Sequence, residues 1–385
     1  MRGTDKMKKR ALVIAALSGF ISTFLRHDIE LLQARGYEVH CAGNAKNKNK
    51  EENDAVFREW GVEFHQIDFS SKSPISKESF ISWKQVKTLL KEYDFDVIHC
   101  HTPIAGAITR FAAIPYRRKG TKVIYTSHGF YFHKGSGRKE WMIYYPVEKI
   151  MSIFTDAIIT INREDYAVAE KMCSRLVFHI NGVGCDTAKY RNAVVDSAEK
   201  RGELGIKEGQ TMILDVGELS VRKNHGILIR ALGELKDPDL VLVICGKAVQ
   251  GAGTYEELKK TAEELGVNVV FAGHRADIPE LCHCADFGAL ASTREGLGLS
   301  GIEMLSAGLP LVTSNVHGIK DYMVDGVTGY MCDCHDEKAF AEAIKKLCNA
   351  DTRRNMKNAC MQAALKFDNA VSFRQMEKIY ARILD

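Results

Sequence analysis

No apolar run in this 385-residue chain reaches the roughly 18–20 residues a helix needs to cross a bilayer. The sequence therefore offers no candidate membrane span. Charge of one sign is not in excess either. The 53 Lys and Arg against 49 Asp and Glu leave a net charge of +4. That balance is too mild for a dedicated nucleic-acid binder. Met1 to Arg10 is polar and basic, and the apolar stretch behind it is too short for a secretion signal. Without such a signal, eleven scattered cysteines read as reduced thiols in a cytoplasm. Sequence repeats and low-complexity tracts are missing. A hydrophobic content of 45% and a charged content of 26% fit an ordinary globular protein, and the length suits two domains.

The expected elements alternate. Ala11–Leu17 is a short continuous apolar run, the pattern of a strand covered on both faces. A loop at Ser18 and Gly19, a helix over Phe24–Arg35 and a strand at Tyr37–Cys41 follow. Strands are expected next at Val62–Ile67, Asp96–Cys100, Lys122–Thr126 and Ala157–Ile161. The beat weakens near 180–210, at the turn-rich Asn181-Gly-Val-Gly-Cys-Asp186. It resumes with strands at Met212–Val216, Leu240–Ile244, Val267–Val270, Phe287–Leu290 and Leu311–Thr313. Such alternation predicts parallel sheets with helices on both faces. Two doubly wound halves have one natural ligand site, at the carboxyl ends of the strands.

Several stretches at those ends carry chemistry. Arg294-Glu295-Gly-Leu-Gly-Leu-Ser-Gly-Ile-Glu303 sets two carboxylates eight residues apart around a glycine-bearing loop. Carboxylates grip sugar hydroxyls, and bare backbone amides meet phosphate. Gly217-Glu-Leu-Ser-Val-Arg222-Lys223-Asn-His225 follows a strand with two adjacent cations ahead of a helix, a layout suited to a diphosphate. His128, followed by glycine at another strand end, could bind a sugar hydroxyl or meet developing charge. Gly19 closes the first strand, where a small residue lets a ligand approach. Its surroundings lack the spacing of a dinucleotide fingerprint. Cys282-His-Cys284 and Cys332-Asp-Cys334-His335 are spaced more tightly than zinc ligand pairs, so no metal is assigned to them. Arg117-Arg-Lys119, Lys134, Arg138 and Lys139 lie beside Trp141-Met-Ile-Tyr-Tyr-Pro-Val147. Cations beside exposed aromatics suit an anionic membrane surface or a lipid pyrophosphate; a solvated face on a core helix is the blander reading.

Together these residues resemble the retaining glycosyltransferases of family 4. The glutamate–seven residues–glutamate hallmark fits Glu295 and Glu303, the phosphate-binding lysine fits Lys223, and the cleft histidine fits His128. His128-Gly-Phe-Tyr-Phe-His-Lys-Gly135 and the run from Trp141 resemble the capsular and exopolysaccharide branch. The resemblance spans nearly the whole chain. It implies an α/β protein of GT-B fold, with two doubly wound Rossmann-like domains facing across a cleft. These would be residues 1–190, for the acceptor, and 191–368, for the nucleotide sugar. The segment 369–385 would be a helix returning to the first domain. One departure stands out: Glu218 occupies the place after the loop glycine where many members carry arginine.

The resemblance also implies the chemistry. A nucleotide sugar, of the UDP class, would donate a hexose or N-acetylhexosamine with retention to a saccharide acceptor, lipid-linked or soluble, in cell-surface polysaccharide biosynthesis. Glu303 would hold ribose hydroxyls and Glu295 the sugar ring. Backbone amides of Gly296, Leu297, Gly298 and Leu299 would meet the sugar and diphosphate. Lys223 and Arg222 would neutralise the departing diphosphate. That role replaces a metal ion, and no Asp-x-Asp motif stands in a suitable loop. His128 would touch the donor sugar, while Gly19, Gly217, Gly246 and Arg275 frame the donor. No cofactor and no nucleic-acid partner are implied. The expected location is the cytoplasm, with a peripheral position at the inner membrane face left open. A UDP-sugar epimerase of the same architecture and a catalytically silent nucleotide-sugar-binding subunit are the alternatives.

Overall fold

Short apolar segments alternating with amphipathic helices build two all-parallel sheets. The computed structural model describes residues 8–46, 50–70, 76–249 and 253–385, with only the backbone for 50–54. One unit comprises Met1–Val183 with Ser372–Asp385, and the other Gly184–Val371.

The first unit holds β1 (Arg10–Leu17), β2 (Glu38–Asn44), β3 (Glu63–Gln66), β4 (Val97–His101), β5 (Lys122–Ser127), β6 (Ala157–Thr160) and β7 (Leu176–His179). Their spatial order is β3-β2-β1-β4-β5-β6-β7. The second unit holds β8 (Thr211–Val216), β9 (Leu240–Cys245), β10 (Asn268–Gly273), β11 (Phe287–Leu290), β12 (Leu311–Ser314) and β13 (Gly329–Cys332). Their order is β10-β9-β8-β11-β12-β13. In each sheet the winding reverses once, between β1 and β4 and between β8 and β11. Ligands of such sheets bind at the carboxyl ends of the strands flanking that reversal. The central strands β1, β4, β8 and β9 are almost wholly buried, which is why β1 and β9 are near-continuous apolar runs, while the buried polar residues His99 and His101 of β4 and Asp215 of β8 need partners.

The final helix, Asn369–Leu384, contributes Ser372 onward to the first unit. Met376, Ile379, Tyr380 and Ile383 are buried at helical spacing. Each such side chain is worth about 1.5–3 kcal/mol on burial. The Tyr380 hydroxyl lies 2.7 Å from His99 Nδ1 and 3.3 Å from Asp28 Oδ1. The neighbouring imidazole and carboxyl thus take up a hydroxyl that would otherwise be buried without a partner.

Four sequence expectations change. Ser18 and Gly19 are not a loop but the first turn of a helix, Ser18–Phe24, that starts directly from β1. Strands β7 and β13 lie outside the expected set. Both are four-residue strands at sheet edges, and β13 opens on a glycine. Gly184–Tyr190 lies with the second unit rather than the first. The aromatics of the helix Arg138–Ser152 are not exposed: Trp141, Tyr144 and Tyr145 pack against the core of the first unit. The exposed apolar residues of that helix are Met142, Ile143 and Ile150.

Candidate active site

In the second unit, β8 and β11 are neighbours, so the loops leaving their carboxyl ends meet. The β8 loop runs from Gly217 through a single 3-10 turn, Val221–Lys223, into the helix His225–Leu235. The β11 loop carries Ser292 to Glu295. A backbone bond ties the two, with Thr293 N donating to Arg222 O at 2.9 Å. Lys223 and Glu295, 72 residues apart, are thereby in contact.

The Lys223 Nζ–Glu295 Oε1 distance is 2.8 Å, and Arg222 Nη1 reaches the same oxygen at 3.1 Å. Ser292 Oγ donates to it at 2.7 Å. Burial works against the ionised Glu295, which is 7% exposed, but Lys223 and Arg222 outweigh it and hold the carboxyl pKa below its usual value. Arg222 also reaches Glu218 Oε1 at 3.2 Å. The residue that departs from the family pattern therefore helps hold the second cation in place.

Two glycines make this arrangement possible. A Cβ on Gly217 would press on the Lys223 stem at 3.0 Å. A Cβ on Gly246, just past β9, would lie 1.8 Å from Gly217 O, which no side chain can relieve. Asn224 sits in the left-handed region at φ 56°, and its Nδ2 donates to Ala291 O and Cys334 O at 3.2 and 2.9 Å. Those bonds fix where the cationic turn ends and the helix begins.

Sequence reasoning missed His225 as part of this site. Its Nδ1 is 2.6 Å from Asp215 Oδ2 and its Nε2 3.0 Å from Glu218 O. Both ring nitrogens face acceptors, which favours the doubly protonated ring. Burial disfavours that charge, but Asp215 prevails and the pKa is raised. The signal was present: an aspartate inside an apolar buried strand must have a partner.

Glu303 lies on the helix Leu299–Ser306, which begins after Gly298 at φ 79°. Burial raises its pKa, against a hydrogen bond from Tyr190 and the charges of Lys189 and Lys223. Tyr190 was not anticipated either. Gly296 and Leu297 lie in the turn between Glu295 and that helix. Gly318 packs so closely that a Cβ there would lie 2.6 Å from Gly296 O. Arg275, beyond β10, is committed to Asp277 through both its Nε and Nη2. It is not drawn to the Lys223–Glu295 group.

In the first unit, His128 follows β5 and Gly19 follows β1. The Phe20 ring meets the His128 ring edge-on at 4.7 Å between centroids, which brings the two segments together. His101 Nδ1 lies 3.0 Å from His128 Nε2. Burial lowers the His128 pKa to about 3. At neutral pH its ring is therefore neutral and acts by hydrogen bonding rather than by charge. His101 is the residue that orients it.

Comparison with known proteins places the whole chain. Residues 196–365 match the family described as glycosyl transferases group 1, and residues 21–175 match Glycosyltransferase Family 4. EpsD of Bacillus subtilis, a protein named as a glycosyltransferase, is 33% identical over 98% of both chains. A UDP-Gal:alpha-D-GlcNAc-diphosphoundecaprenol alpha-1,3-galactosyltransferase of Escherichia coli is 26% identical over 77% of each chain. The structure of Anabaena HepE in complex with UDP and glucose superposes with a TM-score of 0.79 at 18% identity, over 97% of this chain and 100% of that one. The chain belongs to glycosyltransferase family 4, has the GT-B fold and is an enzyme of the glycosyltransferase class.

Proposed function

We propose that this glycosyltransferase moves a hexose or N-acetylhexosamine from a UDP-sugar to a lipid-linked saccharide, with retention, in cell-surface polysaccharide biosynthesis. One observation carries the donor half of this reading. Two cations and a buried carboxylate converge at the winding reversal of the second unit, ahead of a helix N-terminus. The complexes of HepE with UDP and glucose, and the name of the Escherichia coli relative, support the same classes of donor and acceptor here.

The diphosphate takes Lys223 and Arg222 as its partners. Glu295 then turns its carboxylate to the sugar hydroxyls. Glu303 holds the ribose, and the amides of Gly296 to Leu299 meet the phosphates and sugar. Gly217 and Gly246 keep side chains out of the donor's path, while Arg275, held by Asp277, lines the base side. Within the first unit, the neutral ring of His128 and the small residue Gly19 suit a sugar hydroxyl. The bond from the anomeric carbon to phosphate breaks as the acceptor oxygen bonds to the same face. The acceptor's proton passes to the departing phosphate, whose charge Lys223 and Arg222 stabilise.

A panel of UDP-, GDP- and ADP-sugars tests the donor. The cognate UDP-sugar at about a hundred times its Kd stabilises the protein by about 2.7 kcal/mol, or roughly 5–10 °C for a unit of this size. Stabilisation by GDP- or ADP-sugars alone overturns the UDP assignment. Incubation with UDP-GlcNAc and no acceptor should yield at most slow hydrolysis; a new sugar nucleotide would mean epimerisation.

No helix among the described residues is long and apolar enough to cross a membrane. The acceptor reading instead uses the helix Arg138–Ser152, which exposes Met142, Ile143 and Ile150 beside Arg138, Lys139 and Lys149. The protein should float with anionic liposomes at low salt and be released at high salt. Failure to float at low salt removes the membrane surface from the proposal.

A further inference from the structure

Among the described residues, two groups bring three possible metal ligands within reach of one another. Asp28, His99 and His101 form the first. Its chemistry is already spent: both His99 nitrogens are engaged, at 2.7 Å with Tyr380 Oη and 2.8 Å with Thr126 Oγ1. The second group is His40, Glu63 and His65, and it has a different character.

These three residues share one face of the β2–β3 pair. The register sets His40 opposite Glu63, and His65 follows Glu63 by two positions, the period of a strand. His40 Nδ1 and His65 Nε2 share a hydrogen bond at 2.9 Å between near-parallel rings, a bond that an ion would replace, and His40 Nδ1 lies 3.6 Å from Glu63 Oε2. His65 Nε2 lies 3.9 Å from Glu63 Oε1. Ligands about 2.05 Å from a tetrahedral ion stand about 3.3 Å apart. The observed triangle brackets that value, and tilting the two rings out of their head-on alignment, with a slight parting of the nitrogens, completes it.

The surroundings also suit an ion. His40 Nε2 is buried without a hydrogen-bond partner, and the nearest carboxylate, Glu38 Oε1, is 3.9 Å away. A ligating imidazole characteristically turns its other N–H to such a carboxylate. Tyr93 Oη donates to Glu63 Oε1 at 2.9 Å, which orients the third ligand. Tyr93 and Phe95 wall the His40 ring at 4.6 and 5.3 Å. Glu63 is 53% exposed, which leaves an entry path and an open coordination position.

We propose that His40 Nδ1, His65 Nε2 and the Glu63 carboxylate form a divalent-metal site of the zinc class. Two imidazoles and a carboxylate favour zinc and its neighbours over magnesium or calcium. His40 and Glu63 lie towards the amino ends of β2 and β3 and His65 at mid-sheet opposite Ala42, whereas His128 follows the carboxyl end of β5. It is therefore separate from the transferase chemistry. Its effect is structural: it pins a four-residue edge strand to the sheet.

Chelator-treated full-length protein titrated with Zn2+, and separately with Co2+, tests this. One saturable equivalent should be lost in His65→Gln, and in Glu63→Ala, whose exposed position spares the core. Glu38→Gln should weaken binding by about 10–100-fold. Cys334→Ser should retain the equivalent. Co2+ should give the visible absorption of a tetrahedral complex, and Zn2+ should slow amide exchange in β3. Absence of saturable binding in the parent, or equal binding in the folded Glu63→Ala and His65→Gln variants, overturns the site. The readout is metal binding, so the transferase reading stands or falls separately.

Discussion

Lys223→Ala should lower turnover at saturating donor by about two to three orders of magnitude, or ~2.7–4 kcal/mol of transition-state stabilisation. The proposed role of Lys223 is to meet charge that grows on the diphosphate as the bond to the sugar breaks. Its loss should therefore fall mainly on kcat rather than KM. The fold should survive. Glu295 keeps Arg222 at 3.1 Å and Ser292 at 2.7 Å, so its buried carboxylate is not stranded. Arg222 cannot fully substitute, because it is shared with Glu218 and is more exposed, 35% against 11% for Lys223. Product formation is measured at saturating UDP-sugar, with the melting temperature as the control for folding. Turnover within a few-fold of the parent, in a protein that melts normally, would refute the assignment.

Glu148→Ala should destabilise the first unit by about 3–5 kcal/mol. At about 2–4 °C per kcal/mol, the melting point falls by roughly 10 °C. Arg110 is fully buried, and Glu148 Oε2 accepts from its Nη2 at 2.7 Å. The guanidinium also lies over the Tyr125 ring at 3.9 Å, and the Tyr125 hydroxyl donates to Glu148 Oε1 at 3.2 Å. Removing the carboxylate leaves a buried charge with only the ring and one backbone carbonyl, Gly106 O. The effect reaches function through β5. Tyr125 belongs to the strand that ends one residue before His128, and the bonds from Arg110 and Glu148 clamp it between the helices Pro103–Arg117 and Arg138–Ser152. Calorimetry of the variant is the measurement. A melting point within a degree or two of the parent would show that the pair contributes little.

Local order was readable along the chain because central parallel strands are buried on both faces and spell short, mostly apolar segments. That is why β1, β4, β5, β8 and β9 were located closely and the class followed. The edge strands β3 and β10 were anticipated, but β7 and β13, each four residues long, were not, and their register comes from a neighbour. The glutamate pair, the lysine turn and the strand-end histidine were legible as motifs, since each is a local sequence with local chemistry.

Which motifs touch was decided by winding. Lys223 meets Glu295 because β8 and β11 are adjacent at the reversal, a fact no window of sequence contains. His225 owes its charge to Asp215 beneath it, and Arg275 is claimed by Asp277. His40 and His65 come together only because β3 pairs with β2 in one register out of many. Composition and period specify which segments become strand or helix. Contacts between segments far apart in the chain depend on strand order and register, which appear only once the sheet has closed.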